Sequence, residues 1–222
     1  MSVTGAVTFK YDPFGRRIEK VSPTTTSIFA YDGDNLVETV NASGGLVAHY
    51  TQTENIDEPL AMQRGATTDY YEADGLGSIT SLTASNGTLA QSYTYDSFGN
   101  MANSSGSLTN FFRYTAREFD SETNLYYYRA RYYDPGAGRF LSEDPVRFRG
   151  SPSFYAYVGN DAPNLIDPSG LQQHRTGDLW RSVPNCSQFG EQEQLGGNQL
   201  EKDTVAGWLV TESKKGASRF PL

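Results

Sequence analysis

Short alternating segments separated by turn residues dominate the first three quarters of the chain. Residues 79–84 read ITSLTA and residues 88–95 read TLAQSYTY, and these two alternating segments flank a Ser-Asn-Gly turn. Residues 36–50 follow the same pattern around Gly44-Gly45. A period of two interrupted by Asn-Gly or Gly-Gly is typical of β-hairpins. The pattern therefore predicts an almost all-β body over residues 9–170, a strip of antiparallel strands joined by short turns.

A Tyr-Asp pair recurs along this region. It stands at residues 11–12, 31–32, 95–96 and 133–134, with degenerate copies near Tyr50, Tyr71 and Tyr114. The copies at residues 11–15 and 95–99 share the fuller form Tyr-Asp-x-Phe-Gly. Marks that recur at a spacing of roughly 20 residues indicate a repeat protein, in which each unit buries its face against the next.

An aromatic-rich run, FFRYTAREFDSETNLYYYRARYY, occupies residues 111–133. A turn is predicted at residues 120–124, which makes the run a β-hairpin that continues the repeat. A helix over residues 118–128 is the alternative.

The character of the chain changes after Leu171. Residues 172–222 carry no Tyr-Asp mark, few aliphatic side chains and no strict alternation. A segment of low hydrophobicity has little core to offset the entropy lost on ordering. We therefore expect a boundary between Leu171 and Gln172, followed by a separable and poorly packed tail.

Composition narrows the functional classes. The net charge of −8 argues against a nucleic-acid-binding surface, which needs concentrated Lys and Arg. A single cysteine, Cys186, excludes an internal disulfide framework, and His49 and His174 suggest no metal-ligand cluster. No apolar run is long enough for a membrane span, and no Sec signal precedes the repeats. We expect neither a metal nor a cofactor.

Three Asp-Pro pairs punctuate residues 129–171. They lie within segments reading YYYRARYYDP at 126–135, GRFLSEDP at 138–145 and YAYVGNDAPNLIDPSGL at 155–171. These segments resemble the RHS-repeat-associated core of bacterial polymorphic toxins and insecticidal toxin complexes, and the Tyr-Asp marks resemble the YD repeat of the same proteins. The resemblance implies YD repeats over residues 1–115, the core over 116–171 and a variable C-terminal tip over 172–222. The fold class it implies is all-β, a fragment of an RHS spiral shell.

The resemblance also implies an activity. In toxin-associated members of the RHS family, the core cuts the chain just after its own end by aspartic-protease chemistry. The positions that match the two catalytic carboxylates are Asp144 and Asp167, and Arg131 matches the accessory basic residue. The cut is expected between Leu171 and Gln172, the same bond at which the composition changes.

Two other interpretations remain open from the residues alone. An aspartate before proline commonly shapes a turn, so Asp144 and Asp167 would then be structural and the chain a non-catalytic shell or binding fragment. Arg131 would then form a surface pair with Glu118 or Asp134. The tail as an enzyme toxin is not supported, because its 51 residues show no deaminase or nuclease metal motif and little core.

The resemblance further implies partners and a location. A secretion-system or toxin-complex component and an immunity protein are the partners expected, with no nucleic acid. Delivery by a route other than Sec is expected, because no signal peptide precedes the repeats.

Overall fold

The computed structural model describes residues 6–146 and 153–175 of the 222-residue chain. Its regular elements are strands and two short 3-10 turns, Tyr114–Ala116 and Val158–Asn160. No α-helix occurs in these two stretches, so the predicted all-β body is confirmed. The first ten strands are β1 Thr8–Tyr11, β2 Arg17–Val21, β3 Thr26–Asp32, β4 Asn35–Asn41, β5 Leu46–Gln52, β6 Pro59–Arg64, β7 Thr67–Ala73, β8 Ile79–Ala84, β9 Leu89–Tyr95 and β10 Met101–Gly106.

These ten strands form one antiparallel sheet in sequence order, which we call the strip. Both predicted hairpins are confirmed: β4 pairs with β5 around Gly44-Gly45, and β8 pairs with β9 around Asn86-Gly87. The pairing register shifts beside Tyr11 and again beside Tyr31. Such bulges increase the local twist of a strand.

The turn chemistry explains why Tyr-Asp recurs. The Oδ1 atom of Asp96 accepts hydrogen bonds from the backbone N–H groups of Phe98 and Asn100, at 2.8 and 3.0 Å. Gly99 then adopts a φ of +82°, a conformation that glycine takes without strain. Asp12 and Asp74 close their turns with the same pair of bonds. At two of the four marks, residues 11–12 and 95–96, the aspartate is therefore a turn residue, and Asp74 forms the same turn after an alanine.

A second sheet follows the strip and contains the core segment. Its strands are β11 Glu118–Asp120, β12 Leu125–Tyr128, β13 Arg131–Asp134 and β14 Arg139–Phe140. Strands β11 and β12 form the predicted hairpin, so the helical alternative over residues 118–128 is wrong. A cluster of buried aromatic rings packs on this sheet, with the centroids of Tyr133 and Tyr157 4.4 Å apart.

The strip and the second sheet share an interface of apolar and charged side chains. Phe112 packs edge-on against Tyr50, with ring centroids 5.1 Å apart. Arg17 of β2 is fully buried and pairs with Glu118 at 2.6 Å and Asp120 at 2.5 Å. Since these partners come from β11, the ion pairs join the strip to the second sheet.

A third, two-stranded sheet ends the described chain. Strand β15 Leu165–Ile166 pairs with β16 His174–Arg175. The first residues after Leu171 are thus attached to the core by strand pairing, and the rest of the predicted tail, including Cys186, lies outside the described residues. No helix in the described stretches is long and apolar enough to cross a membrane.

Candidate active site

Arg131 brings the two predicted catalytic aspartates together. Its Nη2 atom lies 3.3 Å from Oδ2 of Asp144 and 3.3 Å from Oδ2 of Asp167. All three side chains are almost completely buried. Two carboxylates that lie 13 and 36 residues from Arg131 along the chain therefore meet at one of its nitrogen atoms. The surface pair of Arg131 with Glu118 or Asp134 is not formed, because Arg131 is buried with Asp144 and Asp167, while Glu118 pairs with Arg17.

The second oxygen of each carboxylate holds its own loop. Oδ1 of Asp144 accepts the backbone N–H of Val146 at 2.9 Å. Oδ1 of Asp167 accepts the backbone N–H groups of Leu171 and Gln172, both at 3.0 Å. One carboxylate oxygen consequently lies within hydrogen-bonding distance of the amide nitrogen of the Leu171–Gln172 peptide bond.

The turn between β12 and β13 holds the segment before that bond. Three consecutive backbone carbonyls accept hydrogen bonds from three consecutive residues. Pro168 O accepts from Nη1 of Arg129 at 2.5 Å, and Ser169 O accepts from the backbone N–H of Ala130 at 3.2 Å. Gly170 O accepts from Nε of Arg131 at 2.5 Å. Together these bonds fix the path of the chain into Leu171.

Arg129 also connects this segment to the strip. Its Nη2 atom lies 2.8 Å from Oδ1 of Asp57, in the loop between β5 and β6, and donates to the carbonyl of Asp34 at 3.1 Å. Asp57 forms a second ion pair with the buried Arg117. Burial opposes the charge of Arg129, but the Asp57 carboxylate outweighs this effect and raises the pKa of Arg129. The loop of the strip thereby braces the candidate cleavage segment.

Arg131 is buried against an aromatic ring. The guanidinium carbon lies 3.6 Å from the centroid of the Phe140 ring, in cation–π contact. Burial lowers the pKa of Arg131, and the charges of Asp144 and Asp167 act in the opposite direction. One buried guanidinium therefore lies beside an oxygen of each of the two carboxylates.

Gly170 is expected to be intolerant of a side chain. Its φ is +71°, and a Cβ atom there would lie 2.4 Å from the carbonyl oxygen of Tyr128. We expect Gly170→Ala to lower the melting temperature and to displace the adjacent Leu171–Gln172 bond, the cleavage site expected from the sequence, from Asp167. Gly33→Ala is the matched control, because Gly33 also has a positive φ of +56° but open space around it. Equal effects of the two changes, measured by thermal melting and intact mass, would contradict this expectation.

Turn residues and histidines of the described chain lie in ordinary structural positions. Asn160 and Gly170 adopt positive φ values of +65° and +71°, as turn residues do. The two histidines lie on different strands, His49 on β5 and His174 on β16. No group of three or more His, Cys, Asp or Glu side chains that could hold a metal occurs within residues 6–146 and 153–175.

Sequence reasoning missed Arg129 and Asp57. Arg129 is the first residue of the Arg-Ala-Arg triplet that ends at Arg131. Because Arg131 was already a candidate site residue, Arg129 could have been proposed beside it. Asp57 lies 72 residues from Arg129 in a loop without a Tyr-Asp mark, and no local pattern distinguishes it.

Comparisons with known proteins agree with this fold. The Teneurin YD-shell family profile matches residues 6–150. The tRNA3(Ser)-specific nuclease WapA of Bacillus spizizenii is 32% identical over 172 residues, covering 73% of this chain and 7% of that protein. The probable deoxyribonuclease RhsA of Dickeya dadantii is 30% identical over 211 residues, covering 88% of this chain and 15% of that protein. The chain thus spans only a small part of the length of these relatives.

Solved structures show the same fold. The crystal structure of TcdB2-TccC3 matches with a TM-score of 0.62 at 23% identity, covering 74% of this chain and 9% of that chain. The structure of the same complex without its hypervariable C-terminal region matches with a TM-score of 0.61. Because the family profile covers more than half of the 222 residues, the chain belongs to the Teneurin YD-shell family, and its predicted place among RHS/YD-repeat toxin proteins is confirmed.

Proposed function

We propose that this chain is the C-terminal part of an RHS-family toxin-delivery protein whose core cuts the chain after Leu171. The observation that carries the proposal is the position of Asp167. One of its oxygens contacts the amide nitrogen of Gln172 at 3.0 Å, while the other shares Nη2 of Arg131 with Asp144. One carboxylate beside the peptide nitrogen, joined to a second carboxylate through a shared arginine, supplies the two acidic groups that aspartic-protease chemistry requires.

The two carboxylates have different roles in this proposal. Asp144 takes a proton from water as the water oxygen bonds to the carbonyl carbon of Leu171. The nitrogen of Gln172 then becomes pyramidal and basic, and the Asp167 carboxyl, carrying the proton shared by the pair, donates it as the C–N bond breaks. The products are a carboxylate at Leu171 and an amine at Gln172. Arg131 positions both groups and stabilises the negative charge that remains.

The substrate of the proposed reaction is already in place. The scissile bond belongs to the same chain, held by hydrogen bonds from residues 129–131 to the carbonyls of residues 168–170. Because the reacting groups are already ordered, an intramolecular reaction needs no separate substrate pocket. The reaction is a single turnover that separates the body, residues 1–171, from the tip, residues 172–222.

Family membership supports a delivery context. The matched nucleases are far longer than this chain, and the matched crystal structure is that of a toxin-complex pair, TcdB2-TccC3. We propose that a secretion-system or toxin-complex component and an immunity protein act with this chain, and that it is delivered outside the cell by a route other than Sec. The repeats would form part of the shell and the core the site of release.

A structural role for the same residues is the second candidate. Both Oδ1 contacts of the aspartates are to backbone N–H groups of their own loops, as in ordinary turns. In that case Arg131 would neutralise two turn-forming carboxylates, and the chain would act as a non-catalytic shell or binding fragment.

Intact mass distinguishes the two candidates. We expect freshly purified wild type to end at Leu171, and Asp144→Asn and Asp167→Asn to remain full length, because loss of a general acid or base slows a reaction by about a hundredfold or more. Asp134→Asn is the matched control: Asp134 also precedes proline, but its Oδ1 accepts the N–H of Ala137 in a separate turn. It should cleave like wild type.

Two outcomes would refute the autoprotease. One is full-length wild type over a range of pH, and the other is cleavage of both asparagine variants at the wild-type rate. Simple hydrolysis of Asp-Pro bonds is recognised by its products, which end at residue 134, 144 or 167 rather than at Leu171.

A further inference from the structure

Three buried hydroxyls form a chain within the aromatic cluster of the second sheet. Oγ1 of Thr115 lies 2.7 Å from the hydroxyl oxygen of Tyr128, which in turn lies 3.2 Å from that of Tyr157. Both tyrosines are 0% exposed, and Thr115 is also buried. Burial raises the pKa of both tyrosines well above the usual range, so both hydroxyls keep their protons and can donate.

Tyr157 belongs to the segment that holds Asp144. The backbone carbonyl of Phe154, three residues before Tyr157, accepts the N–H of Asp144 at 3.0 Å. The same carbonyl accepts from Nη1 of Arg131 at 3.2 Å. The position of this segment therefore determines where Asp144 lies relative to Arg131.

Tyr128 borders the segment that carries Asp167. Its neighbour Arg129 donates to the carbonyl of Pro168 at 2.5 Å. The backbone carbonyl of Tyr128 itself lies so close to Gly170 that a Cβ atom there would be 2.4 Å away. The hydrogen bond between the two tyrosine hydroxyls therefore joins the supports of the two aspartates.

Each member of the hydroxyl chain lies at or beside a left-handed backbone. Thr115 has a φ of +46°, while Arg129 and Val158, which directly follow the two tyrosines, have φ values of +54° and +41°. A positive φ is unusual for any residue with a side chain and most unusual for a β-branched one. Such conformations persist only where the surroundings hold them, and they cluster at functional sites.

We propose that Tyr128 is a positioning residue, whose hydroxyl, held between Thr115 and Tyr157, fixes the segments that carry Asp144 and Asp167 relative to one another. Its effect on cleavage rests on the proposed autoprotease, whereas its effect on the order of these segments does not. A ring without the hydroxyl would fill the same space but leave both neighbouring hydroxyls short of a partner. A small shift of either segment would then separate the reacting groups.

Tyr128→Phe tests the proposal in the full chain. Cleavage of the folded protein should slow by about tenfold or more, followed by intact mass with the folded fraction measured by protease resistance. Tyr126→Phe is the matched control. Tyr126 lies on the same strand and is 1% exposed, but its hydroxyl donates to the carbonyl of Gly99 in the strip at 3.1 Å. It should cleave at the wild-type rate at equal folded fraction.

Amide hydrogen exchange gives a readout that does not depend on cleavage. The N–H groups of Leu171 and Gln172 bind Asp167, so their exchange reports how well this segment is held. In the Asp144→Asn chain, adding Tyr128→Phe should speed their exchange by about tenfold and leave the amides of β4 and β5 unchanged. Equal acceleration in all strands would make Tyr128 a stabilising residue only and overturn the proposal.

Two changes at Thr115 keep the test decisive if Tyr128→Phe fails to fold. Thr115→Val keeps the shape of the side chain but removes the hydroxyl, and it should slow cleavage and speed exchange as Tyr128→Phe does. Thr115→Ser keeps the hydroxyl and should recover most of both. Equal behaviour of these two variants, or of Tyr126→Phe and Tyr128→Phe, would overturn the proposal. Intact wild type would refute the autoprotease, and the exchange rates would still decide whether Tyr128 orders the segment.

Discussion

Arg17→Gln is expected to destabilise the protein by about 3–5 kcal/mol, because it leaves a buried cluster of carboxylates without its main cation. Arg17 is 0% exposed and pairs with Glu118 and Asp120, which are equally buried. Lys20 still pairs with Asp120 at 3.0 Å after the change, whereas Glu118 loses its ion pair with Arg17. The change also removes a cation–π contact with Tyr127, whose ring centroid lies 4.5 Å from the guanidinium.

Urea unfolding measures this effect, and the neighbouring residue supplies its control. Arg16→Gln removes the same charge one position earlier, but Arg16 is partly exposed and bonds Asp12 and the Gly33 carbonyl, in neighbouring turns of the strip. Exposed ion pairs contribute little, so the unfolding midpoint should hardly change. If the two substitutions lowered the midpoint equally, the buried cluster would not be what joins the strip to the second sheet.

The strip could be predicted because its determinants are local. In the turn at Asp96, the side chain and the two amides it binds lie within four residues, and the required glycine is part of the same motif. Alternation then places one face of each strand inward. The hairpins around Gly44-Gly45 and Asn86-Gly87 followed from these rules alone.

The interface between the sheets could not be predicted in this way. Arg17 and Glu118 are 101 residues apart, and on sequence alone a lysine- and arginine-containing β-strand is more naturally assigned to solvent. A charged residue is buried only where its partner is also buried. That information lies in the tertiary pairing and not in either segment.

The candidate site was likewise predictable only in part: its residues could be named from the sequence, but their contacts could not. Asp144, Asp167 and Arg131 could be proposed because each stands in a motif that resembles a known family. Their meeting at one nitrogen atom, and the contact of Asp167 with the amide of Gln172, depend on how β13 packs against the loops that follow it. The bracing of that site by the strip depends on Asp57, which belongs to no motif.

Asp57→Asn is expected to slow self-cleavage by about 10–100-fold in protein that is still folded, a prediction that rests on the proposed autoprotease. The change removes the charge that holds Arg129, which binds the carbonyl of Pro168 beside Asp167. A small displacement of reacting groups is enough for losses of this size. Cleavage is followed by intact mass after pulsed cell-free synthesis of the full chain, with the folded fraction measured in parallel by protease resistance.

Asp69→Asn is the matched control for that experiment. Its carboxylate is about as buried as that of Asp57, but it pairs loosely with Arg64 at 3.9 Å within the strip and contacts nothing near the site. Its cleavage rate should equal that of wild type at equal folded fraction, and Asp57→Glu should recover part of the rate by restoring the charge. If cleavage of Asp57→Asn merely followed its folded fraction, Asp57 would be a stabilising residue only. If wild type itself stayed intact, the proposed autoprotease would be refuted, and an effect of Asp57 on cleavage could not be measured.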